Sequence, residues 1–487
     1  MMAVAQPNIV FFMTDQLRRD ALGCYGNLLC QTPNLDRLAA DGVRFDQAYT
    51  VSPVCSPARA SLLTGLYPHN HRVMVNTHIA PALGPGLSPE LPTFGTLLRN
   101  AGYELDYVGK WHVHQSLTPQ DFGFARAEAG SLGFEGTQRL QGKTEIVPGS
   151  EINVDFANGR PQVIAGVNGA AEEETWLAQR TRVGIEMIRD RATRARPFMV
   201  RIDMPEPHFA CLPVEPYASM YNPADIPPWD NFGDTFEGKP PGHRRKLLEW
   251  NLQDKDWGWW SQVVARYYAV ISQIDRCVGD VLAAIDDAGI ADNTIFVFCT
   301  DHGDAMGSHG HFEKAGTMYD EVFRIPLLIK GPEAWVTPGA PQAFVRSLDL
   351  MPTFIEWAGA EPPEGIDGMT LAGLTRGESP EWPDSVYCEH HGEVWGYQSQ
   401  RMVRTERWKY VYDPHAIDEL YDLASDPAEL VNRIDDASLA SVVEEMKARL
   451  LGWNDATNDM LQWRWVRWNF PEPVAPEDAP GQSQLPA

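Results

Sequence analysis

The sequence predicts an α/β fold, with helices on both faces of a parallel or mixed sheet and a smaller α+β subdomain at the C-terminal end. Three observations lead there. Apolar runs at Asn8–Met13, Phe198–Ile202 and Asn293–Cys299 show no alternation, which suits strands buried on both faces. Helical periodicity lies between them. It is clearest over Val263–Ala288, with apolar residues at 263, 264, 267, 268, 271, 274, 278, 281, 282 and 285 and a stop at Gly289. Beyond about residue 376 the texture changes: Arg401–Tyr412 alternates, Glu419-Leu420-Tyr421-Asp422-Leu423 follows, and a helix is expected over roughly 437–452.

The expected division is a catalytic α/β domain over 1–375, a C-terminal α+β subdomain over 376–460 and a tail over 461–487. The tail holds Trp463, Trp465, Trp468 and Phe470 before a proline-rich end. Such aromatic density predicts packing on the parent domain or an oligomer contact. The strands end in chemistry: the first at Thr14-Asp15, the second at Asp203-Met204-Pro205, the third at Thr300-Asp301-His302-Gly303. Open α/β sheets bind ligands beyond the carboxyl ends of their strands, so Asp15 and Asp301-His302 are expected together. Residues 80–92 and 205–245, rich in proline, glycine and aromatics, are expected as long loops.

Composition narrows the function. The chain has 487 residues and a formal charge of -26, too long for one simple core. That charge disfavours nucleic acid and anionic membranes as partners. It also requires any anion site to bring its own positive charge. Seven cysteines without a C-x-x-C pattern form neither a disulfide framework nor a zinc-cysteine site. No signal peptide and no run of about 18 apolar residues are read, so the expected location is cytoplasmic.

The run Val54-Cys55-Ser56-Pro57-Ala58-Arg59-Ala60-Ser61-Leu62-Leu63-Thr64-Gly65 is the most informative stretch. Pro57 suits a first helical turn, where a missing N–H costs nothing. Cys55 then falls at a helix N-terminus, where N–H groups and the helix dipole favour an anion. Arg59 follows one turn later on the same face, and Gly65 closes the helix. The spacing C-x-P-x-R resembles the sulfatase signature. Further segments match that family in order: Phe12-Met13-Thr14-Asp15-Gln16, Gly109-Lys110-Trp111-His112, Pro207-His208, Thr300-Asp301-His302-Gly303 and Phe312-Glu313-Lys314.

The resemblance implies the alkaline-phosphatase fold: a large mixed sheet flanked by helices, then a small antiparallel sheet with a helix. It implies oxidation of Cys55 to formylglycine by a formylglycine-generating enzyme. The aldehyde hydrate then attacks sulfur, passing through a covalent sulfo-enzyme. It implies a divalent metal on Asp15, Gln16, residue 55, Asp301 and His302. Ca²⁺ is the usual ion of the family, and the mostly oxygen shell also suits Mg²⁺ or Mn²⁺. Arg59 and Lys110 would hold the nucleophile and the sulfate oxygens, and His112 would assist proton removal. His208 would be the general acid beside Lys314 on the leaving-group side, and Asn76 would lie near substrate. His69, His71, His78, His114, His309 and His311 are expected to be mostly structural, pocket-wall or solvated.

The expected activity is sulfuric ester hydrolysis on a small-molecule sulfate ester, most simply an aryl sulfate, by a homo-oligomer. The runner-up is a phosphonate monoester or phosphodiester hydrolase. Relatives of that kind also carry aspartate-glutamine in place of paired aspartates, as Asp15-Gln16 do here. Lys110 and His112 favour sulfate. A third reading, a non-catalytic anion-binding protein, requires that Cys55 stay a thiol.

Overall fold

The computed structural model of the chain describes residues 6–79, 82–156, 159–314, 316–393 and 396–460; the tryptophan-rich tail lies outside the described residues. Seven strands build the main sheet: β1 (Asn8–Asp15), β2 (Val43–Arg44), β3 (Glu104–Lys110), β4 (Arg126–Gly130), β5 (Phe198–Pro207), β6 (Thr294–Thr300) and β7 (Leu327–Lys330). Their order is β2-β7-β6-β1-β5-β3-β4. Strand β1 pairs in parallel with β5 and β6, and β3 in parallel with β5 and β4. Only β7 runs against its neighbours. The five central and distal strands β6, β1, β5, β3 and β4 therefore deliver their carboxyl ends to one edge.

The unalternating apolar runs are explained by the layers. Val10 and Phe12 of β1 join a core with α3 (Trp176–Ala192) and α4 (Trp257–Asp287), through residues such as Val183, Ile188, Val263 and Ile271. Ile9, Phe11 and Met13 face the opposite core, built with α1 (Cys55–Thr64), α2 (Phe94–Asn100) and α5 (Leu350–Trp357). Phe11 packs at a tilt against Phe354, with ring centroids 5.5 Å apart, and fully burying such a ring is worth about 1.5–3 kcal/mol.

A second sheet pairs β8 (Ser385–Glu393), β9 (Gly396–Thr405), β10 (Trp408–Tyr412) and β11 (Glu419–Asp422) antiparallel in sequence order. One face packs Tyr387, Val403, Tyr410 and Leu420 against Met446 and Leu450 of α6 (Ala440–Thr457). The other face sets Val386, Cys388 and Met402 against Tyr49 and Phe323 of the main body. No helix among the described residues is long and apolar enough to cross a membrane.

Two helix boundaries differ from expectation. Helix α4 begins at Trp257, not Val263, because the Asp256 side chain accepts the Trp259 N–H and caps a tryptophan-rich first turn. Helix α6 begins at Ala440, after a 3₁₀ turn over Ala437–Leu439 that Asp436 caps through the Ser438 N–H.

Candidate active site

The site forms where these strand ends meet α1. Cys55 is the first residue of α1, Val54 before it is extended, and Gly65 ends the helix in the left-handed region at φ 69°, as Gly tolerates. Asp15 ends β1, Lys110 ends β3, and Asp301-His302 follow β6. The Cys55 Sγ lies 3.3 Å from His302 Nε2, 3.7 Å from Lys110 Nζ and 3.8 Å from Asp15 Oδ1. Burial and Asp15 push this thiol up, but Lys110, Lys314 and His302 outweigh them and bring it down to about 6. Every other cysteine is pushed up instead, first by burial. Cys55 alone sits in the cationic setting that a reactive thiol needs.

Arg59 is fully buried and binds three carboxylates: Asp301 Oδ2 at 2.8 Å, Asp203 Oδ2 at 2.9 Å and Asp15 Oδ2 at 3.1 Å. It also donates to the Lys110 carbonyl at 2.9 Å. The guanidinium fork is suited to this many acceptors. Asp203 is held further by Arg201 at 2.8 Å and the Tyr107 hydroxyl at 2.7 Å. Lys110 Nζ pairs with Asp15 Oδ2 at 2.6 Å. Burial opposes ionisation of Asp15, yet Lys110, His208, Arg59 and His302 hold it well below the usual carboxylate range.

Ligand atoms of Asp15, Cys55, Asp301 and His302 all lie within 4.8 Å of one another, and all four residues are buried. Burial, then Asp15, push the Asp301 carboxyl up to about 7. The bare site therefore resists a second carboxylate charge, and a divalent cation would remove that resistance. The donor set fits a metal. Gln16 is placed differently: its amide oxygen accepts Lys314 Nζ at 2.8 Å, and its Nε2 donates to Asp304 Oδ2 at 2.7 Å. The Gln16 amide oxygen keeps a second lone pair, so it could ligate while still accepting Lys314.

The side expected to face the leaving group is a chain of contacts. Lys314 Nζ donates to His208 Nε2 at 3.0 Å, and His208 Nδ1 donates to the Phe209 carbonyl at 3.0 Å. Burial and Lys314 push His208 well below the usual imidazole value, so Lys314 carries the proton of the pair. Asn76 accepts the Ser56 N–H at 3.0 Å and donates to Glu393 at 2.7 Å. It thereby ties the first turn of α1 to the C-terminal sheet.

Several histidines prove structural. His69 pairs with Glu389, His71 with the Ser61 hydroxyl, and His114 accepts two backbone N–H groups. His309 and His311 are fully buried, held by Asp234 and the His243 carbonyl. Trp111 is core, edge-on to Tyr107, whereas Phe209 stacks on His208 with centroids 4.7 Å apart. Sequence reasoning gave no role to Asp203, Glu313 or Glu393, and placed His78 only among the structural or pocket-wall histidines. Asp203 carried a signal as the polar end of an apolar run, Glu313 lay within a family-like segment, and Glu393 carried none.

A buried cysteine at a helix N-terminus, two buried lysines and a metal-ready carboxylate set at the strand ends of this scaffold are the features of a hydrolase of the alkaline-phosphatase superfamily. The profile of the sulfatase family matches residues 7–360, and that of N-sulphoglucosamine sulphohydrolase, C-terminal, matches 307–456. The chain therefore belongs to the sulfatase family, hydrolases acting on sulfuric ester bonds. It is 31% identical to the uncharacterized sulfatase YidJ of Escherichia coli (strain K12), over 95% of this chain and 90% of that protein. It is 28% identical to an arylsulfatase of Clostridium perfringens, over 94% of this chain and 98% of that one. The phosphonate monoester hydrolase of Agrobacterium radiobacter superposes with a TM-score of 0.76 at 25% identity, covering 93% of this chain and 96% of that one.

Proposed function

We propose that the chain hydrolyses a sulfate monoester, most simply an aryl sulfate, with residue 55 as nucleophile after oxidation to formylglycine. One observation carries the reading: a buried cysteine at a helix N-terminus, 3.7 Å from Lys110 and 3.3 Å from His302, beside a metal-ready carboxylate pair. Once oxidised by a formylglycine-generating enzyme, residue 55 supplies a hydroxyl nucleophile. Asp15, Asp301, His302 and the residue-55 oxygen would hold a divalent metal, Ca²⁺ by family habit, which supplies Lewis-acid polarisation. Gln16 would join that shell through the lone pair of its amide oxygen that Lys314 does not use.

The chain's own groups divide the remaining work. Lys110 and Lys314 set ammonium charge against the non-bridging oxygens, in a site dry enough to make that charge count. Arg59 fixes the carboxylates that flank the nucleophile. His112 is neutral, because burial and then Lys110 disfavour its cation, so it can take a proton only where that proton is passed on. Lys314 holds the proton of the Lys314–His208 pair; as general acid, His208 would take that proton at Nε2 and pass it to the departing oxygen, leaving Lys314 neutral. Asn76 orients the first turn of α1 beside substrate.

The second reading, phosphonate monoester or phosphodiester hydrolysis, is favoured by Asp15-Gln16 and by the likeness to the Agrobacterium enzyme. Lys110 and His112 at the site favour sulfate. A non-catalytic anion binder would follow only from an unconverted Cys55. The free cysteines suit a cytoplasmic setting. We also assign 1–375 to catalysis, 376–460 to the closing subdomain and 461–487 to an oligomer arm. Deleting the chain from Trp463 should then lower the mass in solution.

The test is mass spectrometry of the residue-55 peptide together with Cys55→Ala. The reading expects the aldehyde in co-expressed protein, and no aryl sulfate turnover in a normally folded Cys55→Ala. Substantial residual turnover in that variant would refute residue 55 as the nucleophile.

A further inference from the structure

His78 belongs to none of the segments that carry the site, yet its ring faces the site directly. Its Nδ1 lies 2.8 Å from His112 Nε2, with ring centroids 4.9 Å apart. His112 is 1% exposed, whereas His78 is exposed to solvent. The Nδ1 of His112 is buried and has no hydrogen-bond partner among the described residues. His112 also sits in the left-handed region at φ 48°, a conformation that costs a non-glycine residue energy and concentrates at working sites.

The segment before His78 is pinned. The Asn76 side chain accepts the Ser56 N–H, the Thr77 N–H donates to the Ser56 hydroxyl at 3.2 Å, and Gln115 Nε2 donates to the Thr77 carbonyl at 2.5 Å. His78 is thus clamped between the first turn of α1 and the strand-end loop that carries His112. The charged and titratable groups facing His78 are Cys55, Glu393, Lys110 and Lys314, besides His112 itself. Those facing His112 are Lys110, His78, Arg59 and Asp15.

We propose that His78 is a positioning and relay residue for His112. It accepts the His112 Nε2–H, which leaves Nδ1 of His112 bare and able to receive a proton from the reacting groups. When Nδ1 takes that proton, the Nε2 proton passes to His78 Nδ1, and His78 releases its Nε2 proton to water. Each ring ends with one proton but as the opposite tautomer, so one pass moves one proton from a buried base to solvent, and both rings must exchange back to their starting tautomers before the next pass. The inference rests on the assignment of His112 as the base in the reading above.

Two readouts separate this inference from that reading. In protein with Cys55 unconverted, two-bond ¹H–¹⁵N correlations should show His112 protonated at Nε2 alone. In His78→Ala, protonation should move partly to Nδ1. In His78→Asn, whose side-chain oxygen accepts the same hydrogen bond, Nε2 protonation should persist. In converted enzyme, His78→Ala should lower kcat about 10–100-fold with KM within twofold, and added imidazole should restore most of the loss. His78→Asn should stay slow without imidazole, since an amide does not relay a proton, and its pH–kcat profile should differ from wild type. Nδ1 protonation of His112 in the wild type would overturn the proposal. So would His78→Ala with wild-type kcat and pH profile. A wild-type enzyme inert on every ester would instead overturn the reading of function, and the ¹⁵N result would still judge the His78–His112 pair.

Discussion

Replacing Arg59 by alanine should destabilise the protein by about 3–5 kcal/mol, the cost of stripping one partner from a buried ion pair. Arg59 contacts three carboxylates, but the loss is not threefold. Asp15 keeps Lys110 at 2.6 Å, and Asp203 keeps Arg201 and Tyr107. Asp301 is the one left exposed to the change. Its Oδ2 loses the 2.8 Å guanidinium contact, and among the described residues the other cation within pairing distance is His302, 3.7 Å from the opposite oxygen. Burial and Asp15 already raise that carboxyl to about 7, so without Arg59 it should bind a proton at neutral pH and give up metal affinity. Arg59→Lys should recover only part of the loss, because one ammonium cannot span three acceptors. Urea unfolding with chelator present measures the cost, for Arg59→Ala, Asp301→Asn and the double variant. The two losses should fall short of additive by about 0.5–3 kcal/mol. A loss under about 1 kcal/mol for Arg59→Ala would refute the view that this arginine neutralises the site.

Three further outcomes follow from the geometry. In unconverted protein, alkylation of Cys55 should rise with a midpoint near pH 6, and Lys110→Ala should move that midpoint upward; a midpoint at the ordinary thiol value would contradict the cationic setting. Asp301→Ala should lose bound metal and turnover together, and unchanged metal stoichiometry would show the site misplaced. His69 is held between opposing effects: burial disfavours its cation, but Glu389 and Asp459 raise it to about 9 from 6.5. A raised imidazole stabilises the fold fully below pH 6.5 and loses that contribution as pH climbs through 9. Between pH 6 and 10 the wild type should therefore lose roughly 3 kcal/mol more than His69→Gln, at about 1.4 kcal/mol for each tenfold change. Equal pH slopes would remove His69 from the account.

The parts of the molecule that the sequence revealed are those whose cause is local. Asn8–Met13 is apolar throughout because both faces of β1 meet helices, and that pattern needs no knowledge of the partners. Cys55, Pro57, Arg59 and Gly65 spell out a helix start, a face and a stop within twelve residues. Asp15, Asp301 and His302 were legible as strand-end groups, and the sheet order then brought them together. What the sequence hid is non-local. The loop around His309 suggested a pocket-wall or solvated ring, but His309 meets Asp234, 75 residues away, at 2.6 Å. Glu393 reaches Asn76 across 317 residues of chain. Gln16 offered a ligating oxygen, and nothing nearby in sequence announced that Lys314 would donate to it.

The most direct test of the central claim is a paired rate measurement on formylglycine-bearing enzyme with metal supplied. It compares kcat/KM for an aryl sulfate with that for an aryl phosphonate monoester. The account predicts a clear preference for the sulfate, carried by Lys110 and His112. A preference for the phosphonate would contradict it and make Asp15-Gln16 the pair that sets the substrate.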